Sequence, residues 1–398
     1  MKRLTRPDPN KFHKRWMLAP GIVFLNHGSF GACPTEILAK QNELRRRMEA
    51  EPVQFLWRRY EEYLEPARAA VARFVGARPR DLVFIANATT GVNSVVRSLD
   101  LQAGDELLTT DHDYNACRNV VVEAARRARA RLVVVPIPFP IRSGDEVLER
   151  ILRVATRRTR LAILDHVTSN SALIFPIREI IQGLAARGID TLVDGAHAPG
   201  MVPLDVTKLG AAYYTANLHK WVCAPKGAAF LWAREDRQQG LQPAVISHGN
   251  NRTRMGFTPF QDRFDWAGTF DPTAWLCAGE AIGWMGRLLP GGWPELRRRN
   301  RALALQARRI LCQRLDLDAP SRENMVGAMA TLPLPGRFQK SPASGKIDPE
   351  QLLLYDKFGI EVPFLRMGRP ERRFFRISAQ IYNSSADYEY LADALERL

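Results

Sequence analysis

The chain has 398 residues, 46% hydrophobic and 25% charged, with 27 glycines and 26 prolines, which excludes a disordered or fibrous protein and predicts packed cores for two to three domains. No run approaches the ~18 uninterrupted apolar residues of a membrane span, so no membrane partner is expected. Of the 57 basic residues behind the net charge of +15, 47 are arginines, spread through almost every segment; with no stacking aromatics or groove-reading motifs beside them, no nucleic-acid partner is expected.

The stretch Met1 to Arg15 is polar and basic with no apolar region behind it, so it lacks the pattern of a secretory signal and a cytoplasmic location is expected. From Asp81 to Phe230, short apolar runs alternate with longer amphipathic ones, the pattern of a largely parallel sheet covered by helices. The predicted strands are Leu82 to Ala86, Glu106 to Thr109, Arg131 to Ile137, Leu161 to Asp165, Thr191 to Val193, Ala211 to Ala216 and Ala228 to Trp232. Helical stretches Val92 to Leu99, Arg118 to Ala130 and Ile177 to Arg187 lie between them. The dense arginine runs, Arg45 to Arg47, Arg126 to Arg131 and Arg297 to Arg301, read as solvated helix faces. A helix after Trp275 reaches Leu289, and a second ends near Leu315. A smaller α/β unit follows from Val326, with strands near Gly327 to Leu332 and Arg373 to Ile377 and a loop from Pro333 to Ser344. The five cysteines, at 33, 117, 223, 277 and 312, have no metal or redox spacing, so reduced thiols and no metal site are expected.

In a parallel sheet, ligands sit beyond the carboxyl ends of the strands, so the polar residues there carry the functional reading. Asp194 ends the run Leu192 to Val193, where a carboxylate can hold a protonated ring nitrogen. Twenty-six positions on, Tyr213 to Lys220 runs from a strand into a lysine, a residue that in a dry site has a depressed pKa and forms an imine with an aldehyde. Their order and spacing match a pyridoxal phosphate site. On these residues the chain resembles the class V aminotransferase family of fold type I pyridoxal phosphate enzymes, which includes the cysteine desulfurases. The motif Leu25 to Gly31, reading Leu-Asn-His-Gly-Ser-Phe-Gly, is similar to its isopenicillin N epimerase branch.

The resemblance covers about Phe24 to Tyr382. It implies a mostly parallel seven-stranded sheet in a large pyridoxal phosphate-binding domain, residues 20–285. A smaller C-terminal α/β domain, 286–398, would be joined by residues 1–19. By resemblance Lys220 carries the cofactor, Asp194 meets its pyridine nitrogen, and His197 sits near its phenolic oxygen. The phosphate falls to Ala88 and Thr89 at a helix start, to Asn217 and His219, and to Gly268 and Thr269 reaching from a neighbouring subunit, so a homodimer with shared sites is implied. His112 or Tyr114 would cover the ring face, the sequence leaving both open. Asn26, His27 and Ser169 would meet the substrate, and Arg376, an arginine inside an apolar strand, its α-carboxylate.

The implied activity is chemistry at the α-carbon of an amino-acid or small-peptide substrate. Epimerisation needs acid/base groups on both faces: Lys220 serves one, and Tyr114, His112 or a water the other. Segment Phe358 to Phe375 holds no cysteine, which argues against persulfide formation there. Elimination from cysteine derivatives by a carbon–sulfur lyase, and transamination, stay open beside the epimerase reading.

Overall fold

The computed structural model describes residues 4–340 and 347–398, so Met1 to Arg3 of the basic leader and residues 341–344 of the predicted loop lie outside the described residues. In chain order the strands are β1 (Val23–Phe24), β2 (Leu82–Ile85), β3 (Glu106–Thr110), β4 (Arg131–Val135), β5 (Thr159–Asp165), β6 (Asp190–Asp194), β7 (Tyr213–Asn217), β8 (Ala229–Ala233), β9 (Met329–Pro333), β10 (Ile360–Glu361), β11 (Phe364–Met367) and β12 (Arg372–Ser378). Seven of them form one sheet in the order β2-β8-β7-β6-β5-β3-β4. Only β8 pairs antiparallel to its neighbours; the other six run in one direction.

All seven expected strands of this sheet form, with ends shifted by one or two residues. The run from Arg131 stops at Val135 because Pro136, without an N–H, cannot continue the ladder. Strands β2, β3, β7 and β8 are buried along their whole length, as expected where helices cover both faces. The helix expected after Trp275 is two pieces, Thr273–Leu276 and Ala278–Gly286, and the one after it is Gly292–Leu315. Strands β1, β10 and β11 were not foreseen, since two to four residues carry no readable period.

A second sheet, β11-β12-β9, is antiparallel and packs its own core against Ser385–Arg397 and Gly292–Leu315. The N-terminal residues join this part: Asn10 Nδ2 donates to the carbonyls of Ile381 and Asn383, and β1 pairs in parallel with β10. We propose the division at 285/286 on that basis. Among the described residues no helix is long and apolar enough to cross a membrane.

The strongest polar anchor of the large core is Arg68, fully buried, which donates to Asp265 at 2.7 Å, to Glu65 at 2.9 Å and to the Leu82 carbonyl at 2.7 Å. Asp265 also takes Arg254 at 2.7 Å, so the two arginines tie the loop before helix Pro259–Asp265 to β2. Arg68→Ala is expected to lower the unfolding free energy by about 3–5 kcal/mol, as measured by denaturant unfolding, because it empties a buried side-chain site and takes from Asp265 one of its two arginines and from the Leu82 carbonyl a charged donor.

Candidate active site

Sheet register brings the site together. Asp165 ends β5 and pairs with Asp194, which ends β6 and pairs with Thr215 on β7, so three strand ends meet one cleft of about 790 Å³. Lining it are Ser29, Ala88, Thr89, Tyr114, Asp165, Ser169, Asp194, His197, Asn217, His219 and Lys220, besides others. Nine of the fifteen residues expected at the site from the sequence therefore share one cavity.

Lys220 follows β7 and points its Nζ to within 3.1 Å of His197 Nε2. Burial, with the positive charge of Arg376 nearby, brings its pKa down to about 8, against the pull of Asp194. The lysine is thus half neutral near pH 8 and nucleophilic. Burial holds His197 neutral, and the Trp221 indole N–H donates to its Nδ1 at 3.4 Å. An indole only donates, so Nε2 carries the imidazole proton and donates it to the lysine nitrogen.

Asp194 Oδ1 accepts the Ala196 N–H at 2.9 Å and Oδ2 the Cys117 thiol at 3.2 Å; burial raises its pKa. At the other end of the cleft, the Asn87 side chain caps helix Ala88–Arg97 by accepting the Thr90 N–H at 2.9 Å, and Asn217 Oδ1 accepts the Ala88 N–H at 2.8 Å. Among the described residues no partner meets the Asn217 amide N–H groups or the Thr89 hydroxyl, which leaves both free at the positive end of a helix. This donor set fits a phosphate, and the lysine and carboxylate fit the aldehyde and ring nitrogen of pyridoxal phosphate. His219 donates from Nδ1 to the Ala228 carbonyl at 3.0 Å, and burial lowers its pKa to about 4. Its Nε2 therefore meets a phosphate only by taking up a proton.

Arg376 is buried and donates to the Ser169 carbonyl at 2.6 Å, the Ser29 hydroxyl at 2.9 Å and Asn26 Oδ1 at 3.4 Å. Among the described residues it has no carboxylate within 4.0 Å, and burial lowers its pKa to about 10. Arg373, three residues earlier on the opposite face of β12, is by contrast neutralised by Asp348 and Glu350. The contrast separates a structural arginine from one awaiting an anion.

Four expectations are placed differently. His27 does not line the cleft: fully buried, it donates from Nε2 to the Lys220 carbonyl at 3.0 Å and accepts the Tyr382 hydroxyl at Nδ1, 2.8 Å away, so it holds the lysine's backbone. Asn26 likewise stands behind the cleft, accepting from Ser29 at 2.6 Å and donating to Glu361 at 3.0 Å. His112 borders a neighbouring cavity, where its Nε2 donates to Ile137 and its Nδ1 accepts from Ser171, so both nitrogens are occupied. Tyr114, half-exposed, is the residue of that pair at the Lys220 cleft. Gly268 and Thr269 do not line this chain's own cleft, and Thr269 is exposed.

The sequence reading missed Asp165, Trp221, Cys117 and the tight approach of Gly31. The first had a signal: β5 and β6 end alike, in Leu-Asp and Val-Asp after apolar runs. At Gly31, φ is +71° and a Cβ would stand 2.1 Å from the His219 carbonyl oxygen and 2.9 Å from Lys220 Cα, so the Asn26 to Gly31 turn is fitted against the lysine's backbone.

Gly31→Ala is expected to cost about 1–3 kcal/mol of stability in a denaturant melt, by overpacking against that backbone. Capture of pyridoxal phosphate by the purified protein, followed by absorbance, is expected to rise with pH to a midpoint near 8 and then level. In Arg376→Met the midpoint should move upward, since the removed positive charge favoured the neutral lysine.

Residues 26–330 match the aminotransferase class-V family. The chain is 34% identical to isopenicillin N epimerase of Streptomyces clavuligerus, covering 96% of both chains. It is 30% identical to a putative L-cysteine desulfhydrase of Oryza sativa subsp. japonica, over 95% of this chain and 83% of that one. Among solved structures, a variant of C-DES with glycine covalently linked to its pyridoxal phosphate cofactor superposes with a TM-score of 0.80 at 19% identity, covering 98% and 99% of the two chains. This likeness shows a fold type I architecture. With its family match spanning most of its length and a relative 34% identical over 96% of both chains, the chain belongs to the class V aminotransferase family of pyridoxal phosphate-dependent enzymes.

Proposed function

We propose that this enzyme binds pyridoxal phosphate and acts at the α-carbon of an amino acid or small peptide, as an amino-acid epimerase similar to isopenicillin N epimerase. The observation that carries α-carbon chemistry is a cleft lysine, half neutral near pH 8, beside a buried arginine that bonds to Ser29 and Ser169 of the cleft lining and, among the described residues, has no carboxylate within 4.0 Å. The choice of epimerisation rests on the end-to-end similarity to the epimerase.

When bound, the cofactor supplies an electron sink for charge developing at the α-carbon. Thr89 and Asn217 would hold its phosphate and Asp194 its ring nitrogen. Arg376 grips the substrate carboxylate and Ser169 and Ser29 aim the guanidinium. Lys220 takes or returns a proton on one face, with His197 donating to its nitrogen whenever it is neutral. We assign the second face to the Tyr114 hydroxyl at the cleft mouth, because both His112 nitrogens are engaged elsewhere.

A carbon–sulfur lyase acting on cysteine derivatives is the second reading, supported by the desulfhydrase relative and by the thiols. Cys33, Cys117, Cys223 and Cys277 are buried, with their thiol pKa pushed up by burial, so none is suited to carry a persulfide, whereas elimination needs no cysteine. We also propose a homodimer. Phe30, Trp57, Val245, Ile246 and Met255 are exposed apolar side chains, Phe30 lies on the cleft itself, and Gly268 and Thr269 are free to serve a partner's phosphate site.

Incubation in deuterated water with isopenicillin N, and separately with cysteine and its S-substituted derivatives, decides between the readings by NMR. Deuterium at the α-position with loss of chirality and no keto acid establishes the epimerase; pyruvate or released sulfur establishes the lyase. Lys220→Ala should abolish either activity. Arg376→Ala should weaken kcat/KM for α-carboxylate substrates by about 2–5 kcal/mol. Tyr114→Phe should slow inversion by about 10²-fold or more while α-proton exchange with retention continues on the Lys220 face.

A further inference from the structure

Asp165 has no role in the chemistry derived so far, yet it stands in the floor of the cleft. It is register partner to Asp194 on the adjacent parallel strand, so the two carboxyls leave the sheet on the same side about 4.8 Å apart at the backbone. Asp165 is 5% exposed and Asp194 4%, and both line the same cavity. Their surroundings differ. Asp194 accepts a backbone N–H and a thiol, whereas among the described residues no hydrogen-bond donor and no cation within 4.0 Å meets the Asp165 carboxyl.

The charges that face the pair come from three elements. Lys220, beyond β7, is the lysine whose charge reaches both carboxyls, and it is half neutral near pH 8; Lys226 also lines the cleft. On the other side, Asp113 adds negative charge that Arg118 offsets at 2.7 Å. Cys117, on the helix of Arg118, is a neutral thiol. Two adjacent buried carboxyls, neither with a cation within 4.0 Å among the described residues, do not both ionise, and the proton stays where the anion has no donors. Burial and the neighbouring Asp194 both push the Asp165 pKa well up.

Resting on the reading that this cleft takes pyridoxal phosphate, we propose that Asp165 is a neutral carboxylic acid at working pH, a positioning residue that leaves Asp194 as the single anion of the cleft floor. An ionised Asp165 would compete with Asp194 for the cofactor's ring proton and for the charge of Lys220. As a neutral acid it keeps that negative charge on one carboxylate, whose orientation Ala196 and Cys117 already set.

Infrared spectroscopy of the full-length protein at pH 8, with and without pyridoxal phosphate, reads the proton directly. The expected result is a protonated-carboxyl stretch in the wild type that disappears in Asp165→Asn. Asp165→Asn, which mimics a neutral acid, should bind pyridoxal phosphate within about threefold of wild type with an unchanged absorption maximum. Asp194→Asn should bind it at least about tenfold more weakly, the weight of a hydrogen bond to a charged group. Absence of the stretch in the wild type at pH 8 overturns the proposal without recourse to any variant. So does an Asp165→Asn loss of affinity as large as that of Asp194→Asn. If the wild type fails to bind pyridoxal phosphate at all, the cofactor reading falls, while the infrared band still decides the state of Asp165.

Discussion

Two cations, Lys220 and Arg376, are buried in one wall without a matching set of carboxylates, and much of the site is arranged to keep them there. Burial alone drives both toward their neutral forms, and the charge of Arg376 further lowers the tendency of Lys220 to hold a proton. Lys220 responds by being half neutral near pH 8, which makes it a nucleophile and a base. Arg376 cannot respond in that way, and it is instead held by a backbone carbonyl, a hydroxyl and an amide oxygen, none of them charged. An anionic substrate group is the partner that this wall lacks.

The surrounding structure keeps the wall rigid from behind. His27, Tyr382 and Gln380 form a buried polar layer against the Lys220 carbonyl and Cys223, and the Gly31 turn closes on the lysine's backbone with no room for a side chain. That layer joins the two parts of the chain, since His27 precedes the large sheet and Tyr382 follows the small one. Other buried arginines are neutralised by carboxylates: Arg68, together with Arg254, by Asp265, and Arg373 by Asp348 and Glu350. The site arginine stands out because its counter-ion is absent, and the many exposed pairs such as Arg126 with Glu123 account for much of the basic composition as solvated helix surface.

The proton inventory of the cleft is correspondingly spare. Burial keeps His197 neutral as a donor from Nε2, its tautomer set by Trp221. His219 is neutral with its Nδ1 proton committed to a carbonyl. The groups left able to move protons at the reacting centre are Lys220 and, at the mouth, Tyr114. This economy favours a reaction in which one proton leaves and one returns. Return of a proton to carbon and loss of a sulfur leaving group both begin with the same proton.

The sequence alone determined the sheet and the position of its ligand edge. Apolar runs between turn residues are a local signal, and a parallel strand places the residue that follows it at the edge whatever else the chain does. Asp194 and Lys220 were legible for that reason, Asn217 and Thr89 through the resemblance to the family, and Arg376 because an arginine inside an apolar strand is a local anomaly. Only the tertiary structure decided the choice of Tyr114 over His112 for the cleft, the withdrawal of His27 and Asn26 behind it, and the partnership of Asp165 with Asp194. Each depends on side-chain direction or on strand register between segments 29 to more than 300 residues apart, and those are set by packing, which a one-dimensional pattern does not encode. The contrast between Arg373 and Arg376 is of the same kind. Both lie in one seven-residue strand, and what separates them is whether a distant loop brings a carboxylate within reach.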